Sequence, residues 1–210
     1  MKRGKLVVIY GNMFSNKTGT LINEIETLRN YGKKRICVIK PKTDTRSGTG
    51  FIKNSKGLQM EAFEVPGNTP SEIFDVIRRE ELKQGSDFNI IAIDEVQFFT
   101  PPLSIFQTVK ELLRKGYDVI VAGLSLDFKG EPFGVTLQLI GLCDDVRDVI
   151  NLHSRCHECG EQGDLPQRLV DGNPVPYNSD QLKVGGEETY QARCYKCHEL
   201  PGKPDIEHVS

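Results

Sequence analysis

The sequence predicts an α/β fold: a parallel sheet flanked by helices, with a small module appended at its C-terminal end. Three observations predict it. Leu6-Val7-Val8-Ile9-Tyr10, Ile90-Ile91-Ala92-Ile93 and Val119-Ile120-Val121-Ala122 are short, almost wholly apolar runs, the kind that fill strands buried on both faces. Amphipathic helical patterns lie between them. From Cys156 onward the composition changes to short polar segments broken by glycines and prolines. A chain of 210 residues can bury one good core plus such an appendage. The formal net charge of −2 gives no electrostatic reason to expect a nucleic-acid surface. Met1-Lys2-Arg3-Gly4-Lys5 is basic, but the apolar run of five residues after it is too short for a signal peptide or a membrane span. A cytoplasmic location without membrane partners is therefore expected.

The first apolar run leads into Gly11-Asn12-Met13-Phe14-Ser15-Asn16-Lys17-Thr18, and Leu21, Ile22, Ile25 and Leu28 follow at the spacing of one helix face. A strand, a tight loop and a helix start suit a phosphate, because loop N–H groups and the unpaired N–H groups of the first helical turn converge on an anion. The stretch matches the phosphate-loop pattern Gly-x-x-x-x-Gly-Lys-Ser/Thr, except that Asn16 takes the place of the second glycine. Asn tolerates left-handed backbone better than most residues. Lys17 would reach the outer phosphates, and the Thr18 hydroxyl would ligate a magnesium ion between them. Taken alone, the stretch is equally an ordinary strand-to-helix turn with an exposed lysine.

The first helix is expected to end near Gly32, and residues 35–39 form a second buried strand joined by a right-handed crossover. Residues 47–57, rich in Gly, Ser, Thr and Lys, read as a mobile loop or hairpin. Residues 60–65 alternate weakly, as one further strand. Thr69-Pro70-Ser71-Glu72 resembles a helix start with Thr69 as cap, Pro70 first and Glu72 third, turning Ile73, Val76 and Ile77 to the core. The run 90–93 delivers Asp94 and Glu95 to the C-terminal end of its strand, the sheet edge where ligands bind in open α/β folds. A helix over 101–115, with Ile105, Phe106, Val109, Leu112 and Leu113 inward, stops at Gly116. The strand at 119–122 feeds a loop, 123–134, with more apolar bulk than a solvated loop carries. That loop either packs under a neighbour or lines a pocket for a flat, partly apolar ligand. A helix over about 136–142 and a strand over about 146–152 complete the sheet. The expected division is 1–152 for the nucleotide-binding part, 153–200 for the C-terminal module and 201–210 for a disordered tail.

Of six cysteines, Cys37 and Cys143 sit in apolar surroundings and read as buried thiols. Cys156, Cys159, Cys194 and Cys197 form two Cys-x-x-Cys pairs, which can close a tetrahedral thiolate site around zinc. Four thiolates leave no open position, so the site is read as structural. The segment between the pairs, 160–193, reads as a long loop anchored by metal at both ends.

A phosphate loop, a strand-end Asp and a neighbouring carboxylate together suggest phosphoryl transfer, which depends on positioning and charge neutralisation. Asp94 would hold magnesium, directly or through water. Glu95 would accept a proton from the attacking hydroxyl or water. The bland alternative is that the two acids merely end a strand in solvent.

At this point the chain resembles the type II thymidine kinases. The resemblance rests on the phosphate-loop stretch, Asp44-Thr45-Arg46, Asp94-Glu95-Val96-Gln97-Phe98-Phe99, Gly123-Leu124 through Glu131-Pro132-Phe133-Gly134, Gly185-Gly186-x-x-x-Tyr190 and the four cysteines, in the family's order from about Lys5 to His198. It implies a P-loop NTPase-like sheet with a zinc-closed lasso, and transfer of the ATP γ-phosphate to the thymidine 5′-hydroxyl. It implies Glu95 as general base with Lys17 and Arg46 around the phosphates. Residues 11–18 with Asp94, Glu95, Val96 and Gln97 would then bind ATP and its magnesium. The nucleoside would meet Met13, Asp44, Phe98, Leu124, Phe128, Phe133 and Tyr190, with its thymine edge read by lasso backbone at Gln181, Leu182, Lys183, Val184 and Gly185. A homotetramer and feedback inhibition by the triphosphate product are likewise implied.

The chain departs from the family pattern at Asn16 and at Asn12, where the family usually has proline. It departs again at Pro166, commonly Thr or Ser, and at Ser125, commonly Asp. These departures leave two alternatives open: a related pyrimidine deoxynucleoside kinase, or a catalytically weak, nucleotide-binding regulatory paralogue.

Overall fold

The computed structural model describes residues 2–44, 48–181 and 190–204. Its centre is a six-stranded, wholly parallel sheet of strands β1 (Leu6–Gly11), β2 (Ile36–Pro41), β5 (Phe63–Val65), β6 (Ile90–Ile93), β7 (Asp118–Leu124) and β8 (Val149–Leu152), in the order β5-β2-β6-β7-β1-β8. All residues of β2 and β6 are buried, as expected of a parallel sheet covered on both faces. Helix α1 (Lys17–Asn30) and the hairpin of β3 (Phe51–Lys53) with β4 (Gln59–Glu61) cover one face, where Leu21, Ile22, Ile25 and Ile52 pack on Ile9, Val38, Ala92 and Ile120. Helices α2 (Glu72–Gln84), α3 (Pro102–Arg114) and α4 (Thr136–Ile140) cover the other, where Ile73, Ile77, Val109, Leu112 and Leu139 meet Val8, Ile91, Ile93 and Val121. Among the described residues no helix is long and apolar enough to cross a membrane.

Several boundaries differ from the sequence expectation. Residues 60–65 are two strands rather than one: Gln59–Glu61 turns back on β3, while Phe63–Val65 joins the main sheet beside β2. The polar segment 47–57 supplies the first arm of that hairpin. Helix α2 begins at Glu72, and Thr69 reaches it through its hydroxyl, donating to Glu72 Oε1 at 2.6 Å. Residues 146–148 form a 3₁₀ turn before β8, closed by Asp145, which accepts from the Arg147 N–H at 2.8 Å. The largest correction falls in residues 160–193. Strands β9 (Leu165–Val170), β10 (Asn173–Pro174) and β11 (Tyr190–Arg193) make a three-stranded antiparallel sheet there. Gln167, 1% exposed, is held by Glu199, whose carbonyl accepts from Gln167 Nε2 at 2.9 Å and whose N–H donates to Gln167 Oε1 at 2.7 Å.

Cys37 is fully buried, and burial pushes its thiol up to about 12. Cys143 is only half-buried, less enclosed than its apolar neighbours suggested.

Candidate active site

The parallel sheet sends β1, β2, β6 and β7 out through the same edge, so the loops after these strands converge. After β1 the chain enters residues 11–16. Asn16 stands immediately before α1 at φ 62°, ψ 34°, the left-handed conformation that the glycine of the pattern would supply. Its side-chain oxygen accepts from Asn54 Nδ2 of the hairpin at 3.0 Å, so the substituted residue adds a tether. Lys17 is buried and folds back over the loop, donating from Nζ to the Asn12 carbonyl at 2.7 Å.

Across the edge, Thr18 Oγ1 donates to Asp94 Oδ2 at 2.9 Å. A hydroxyl and a carboxylate are hard oxygen donors of the kind that hold magnesium beside phosphates, so the pair fits that ion. Burial, followed by the charge of Glu95, pushes Asp94 up to about 7, with the Thr18 hydroxyl pulling against it. A raised carboxylate means the folded, metal-free protein holds a proton that the unfolded chain has released. That stabilisation is complete below the ordinary Asp range and is lost as pH rises through about 7. Zinc-loaded protein without magnesium should therefore melt at a lower temperature at pH 8 than at pH 5.5, and Asp94→Asn should flatten the difference. A wild-type melting curve identical to the variant's at both pH values would refute the assignment.

Glu95 also adopts left-handed backbone, φ 50°, ψ 42°. Such a non-glycine outlier costs on the order of 1–3 kcal/mol and is kept where surrounding contacts fix it. Gln97 is one such contact. It is 2% exposed, its Oε1 accepts from the Leu124 N–H at 3.0 Å, and its Nε2 is thereby turned to donate to Glu95 Oε2. Gly134, at φ 61°, crosses so close that an added Cβ would lie 2.6 Å from the Gln97 carbonyl oxygen. The resemblance implies Gln97 at the ATP site, and in the structure its amide nitrogen donates to the Glu95 carboxylate.

The apolar residues expected around a nucleoside fall into two groups. Phe98 and Phe133 meet edge to face at 5.9 Å between centroids, and Leu124 is buried at the end of β7. Phe128 and Tyr190 form a third, smaller core with Val175, against which Met13 and Phe14 pack. Loop 123–134 thus packs under the C-terminal module, the first of its two expected roles. Asp127, missed in the sequence, ties this turn together. Its Oδ1 accepts from the N–H groups of Lys129 and Glu131, and its Oδ2 from Gln181 Nε2 at 2.7 Å. Arg46, Leu182, Lys183, Val184 and Gly185 lie outside the described residues.

Asp44 is 2% exposed and lies 3.7 Å from Nζ of Lys40, a lysine with no exposed surface at all. Lys40 also donates to the carbonyls of Gly48 and Phe51 at 3.0 and 3.2 Å and faces Glu64 at 3.8 Å. It thereby ties Asp44 to Gly48 and Phe51.

The sulfur atoms of Cys156, Cys159, Cys194 and Cys197 lie within 4.8 Å of one another. Zinc–sulfur bonds of about 2.3 Å in a tetrahedron need sulfurs about 3.8 Å apart, so the cluster fits a structural zinc ion. Burial would raise the Cys156 thiol, but hydrogen bonds from the Cys159 and Cys194 N–H groups and from the Cys159 and Cys197 side chains together bring it to about 7, whereas Cys197, hydrogen-bonded to the other cysteines, is pushed up to about 12.

The thymidine kinase family profile matches residues 4–198. The chain belongs to the thymidine kinase family. Curated thymidine kinases similar to it include that of Thermococcus kodakarensis, 39% identical over 198 residues, covering 94% of this chain and 95% of that one. The enzyme of Coprothermobacter proteolyticus is 40% identical over 200 residues, covering 95% and 93%. That of Pyrobaculum aerophilum is 37% identical over 196 residues, covering 93% and 99%. Membership in the thymidine kinase family covers both the sheet and the cysteine cluster.

Proposed function

We propose that the C-terminal edge of the sheet is where this family member transfers the ATP γ-phosphate to the 5′-hydroxyl of thymidine, giving thymidine monophosphate and ADP. The observation that carries it is the 2.9 Å contact from Thr18 to Asp94, which brings the phosphate loop to the strand end bearing Glu95. Loop N–H groups and Lys17 hold the phosphates, with Arg46 as a further cation beside them. Glu95 takes the proton from the 5′-hydroxyl as its oxygen attacks the γ-phosphorus, and the bond to the bridging oxygen breaks to release ADP. Magnesium, when bound by Thr18 and Asp94, neutralises charge on the phosphates. Met13, Asp44, Phe98, Leu124, Phe128, Phe133 and Tyr190 surround the nucleoside, and backbone from Gln181 to Gly185 reads the base edge. Residues 1–152 serve as the nucleotide-binding part and 153–200 as the zinc-binding part. The working form is a cytoplasmic homotetramer.

The test is phosphorylation of thymidine, deoxyuridine and deoxycytidine by zinc-loaded protein with magnesium and ATP. Thymidine is expected to be turned over at least tenfold more efficiently than deoxycytidine, because backbone groups matched to one base edge are left unpaired by another. A related pyrimidine deoxynucleoside kinase is the alternative, favoured by Pro166. It lies buried in β9 opposite Ala192 and offers no hydroxyl to a base. Preference for deoxycytidine or deoxyuridine would establish it, and ATP binding without transfer to any of the three would indicate a regulatory paralogue.

A further inference from the structure

The phosphate loop and the cysteine cluster are joined through side chains. Asn12, 2% exposed, accepts the Met13 N–H on Oδ1 at 2.6 Å and donates from Nδ2 to the Gly163 carbonyl at 3.1 Å. The Asn12 carbonyl is also where Lys17 Nζ docks at 2.7 Å and Ser15 Oγ at 2.8 Å. The residue that fixes the phosphate-binding lysine is therefore itself fixed by a group outside the loop. Gly163 belongs to the cysteine knuckle. It exchanges hydrogen bonds with Ser154, its N–H donating to the Ser154 carbonyl at 2.9 Å and its own carbonyl accepting from Ser154 Oγ at 2.9 Å. It also runs so close to Cys156 that an added Cβ would lie 2.6 Å from the Cys156 nitrogen. A second contact runs in parallel: Phe14 meets the ring of His157, between Cys156 and Cys159, edge to face at 5.5 Å.

We propose that the cysteine knuckle positions the phosphate loop through Asn12, so that a metal ion on the four cysteines strengthens the loop's hold on ATP. This rests on the assignment of residues 11–18 to ATP. Proline cannot make this link, having no side-chain donor. Movement of Cys156 carries Gly163 with it. Asn12 then loses its amide acceptor, its backbone turns, and the carbonyl that holds Lys17 turns with it. One buried neutral hydrogen bond supports an affinity change of roughly threefold to tenfold.

Asn12 acts as a positioning residue, and binding rather than turnover is the test. The probe is the magnesium complex of the β,γ-imido analogue of ATP, titrated calorimetrically into the full chain, zinc-loaded or zinc-depleted and exchanged into chelator-free buffer. In wild-type protein, zinc depletion should weaken binding roughly tenfold. In Asn12→Ala the zinc-loaded affinity should already be down roughly fivefold, and zinc depletion should cost less than twofold more. Asn54→Ala, which releases the hairpin tether from outside residues 11–18, should keep the wild-type zinc dependence. Because zinc-depleted protein can lose its fold, a second comparison uses zinc-loaded protein alone. Ser154→Ala, which removes the Oγ donor to the Gly163 carbonyl and leaves only the backbone bond between the two residues, should weaken the analogue in the wild-type background and leave Asn12→Ala unchanged, a non-additive pair. Independent, additive effects, or wild-type affinity in Asn12→Ala, would overturn the coupling while leaving the ATP site standing. Failure of the zinc-loaded wild-type chain to bind the analogue would sink the ATP assignment and the coupling together.

Discussion

Replacing Glu95 with Gln is expected to lower turnover of thymidine by about 10²–10⁴-fold, the range typical for a positioned general base, while both substrates bind within about twofold of wild type. Gln has the same shape and can still accept a hydrogen bond from Gln97 Nε2 through its amide oxygen, so the contact that aims Glu95 is preserved. What disappears is the capacity to take a proton. The side chain must also tolerate left-handed backbone at φ 50°, and Gln is no worse placed there than Glu. Steady-state rates paired with calorimetric affinities separate these effects. A fall in kcat smaller than tenfold would show that the proton leaves by another route, and a parallel loss of affinity for both substrates would show that the substitution had disturbed the site itself.

Lys40→Met should destabilise the fold by about 3–5 kcal/mol, the usual cost of stranding one member of a buried ion pair. Lys40 is completely buried, Asp44 nearly so, and the ammonium faces two carboxylates and two backbone carbonyls. Methionine fills similar space but offers none of those oxygens a donor. Adding Asp44→Asn should restore part of the loss, since the more deeply buried of the two stranded carboxylates then loses its charge. Urea unfolding of zinc-loaded protein is the measurement. A loss below about 1 kcal/mol in Lys40→Met would mean that water or a neighbouring cation reaches the carboxylates, and that the Lys40 contacts contribute little to stability.

The parts of the molecule that the sequence made legible are those where local chemistry and tertiary context agree. The runs at 6–10, 90–93 and 119–122 are apolar because they are buried on both faces, and Asn16 adopts the backbone that its residue type tolerates. The two Cys-x-x-Cys pairs meet because a metal-ready cluster demands it. Legibility failed where burial depends on a distant partner. Leu165-Pro166-Gln167-Arg168-Leu169-Val170 contains a proline, an amide and a cation, and nothing in it announces a strand. Yet Gln167 is enclosed by Glu199 backbone, and the Arg168 guanidinium lies over the Phe128 ring at 5.2 Å. Lys40 was equally hidden, because a lysine at the end of an apolar run ordinarily marks the return to solvent. Gln97 could be assigned to the site but not to its role, since only the Leu124 N–H decides which end of the amide faces Glu95.

The position of β1 within the sheet has a mechanical side. It is paired with β7 from Leu6 to Gly11 and with β8 from Val8 to Gly11, whereas β5 is a three-residue edge and the β3–β4 hairpin pairs only with itself. The phosphate loop is thus a short span clamped at its root and guyed on both flanks, by Asn16 to the hairpin and by Asn12 to the knuckle. A shift of the hairpin reaches the loop at Asn16, and a shift of the knuckle reaches it at Asn12 and the neighbouring Phe14, while the strand beneath is held by two neighbours.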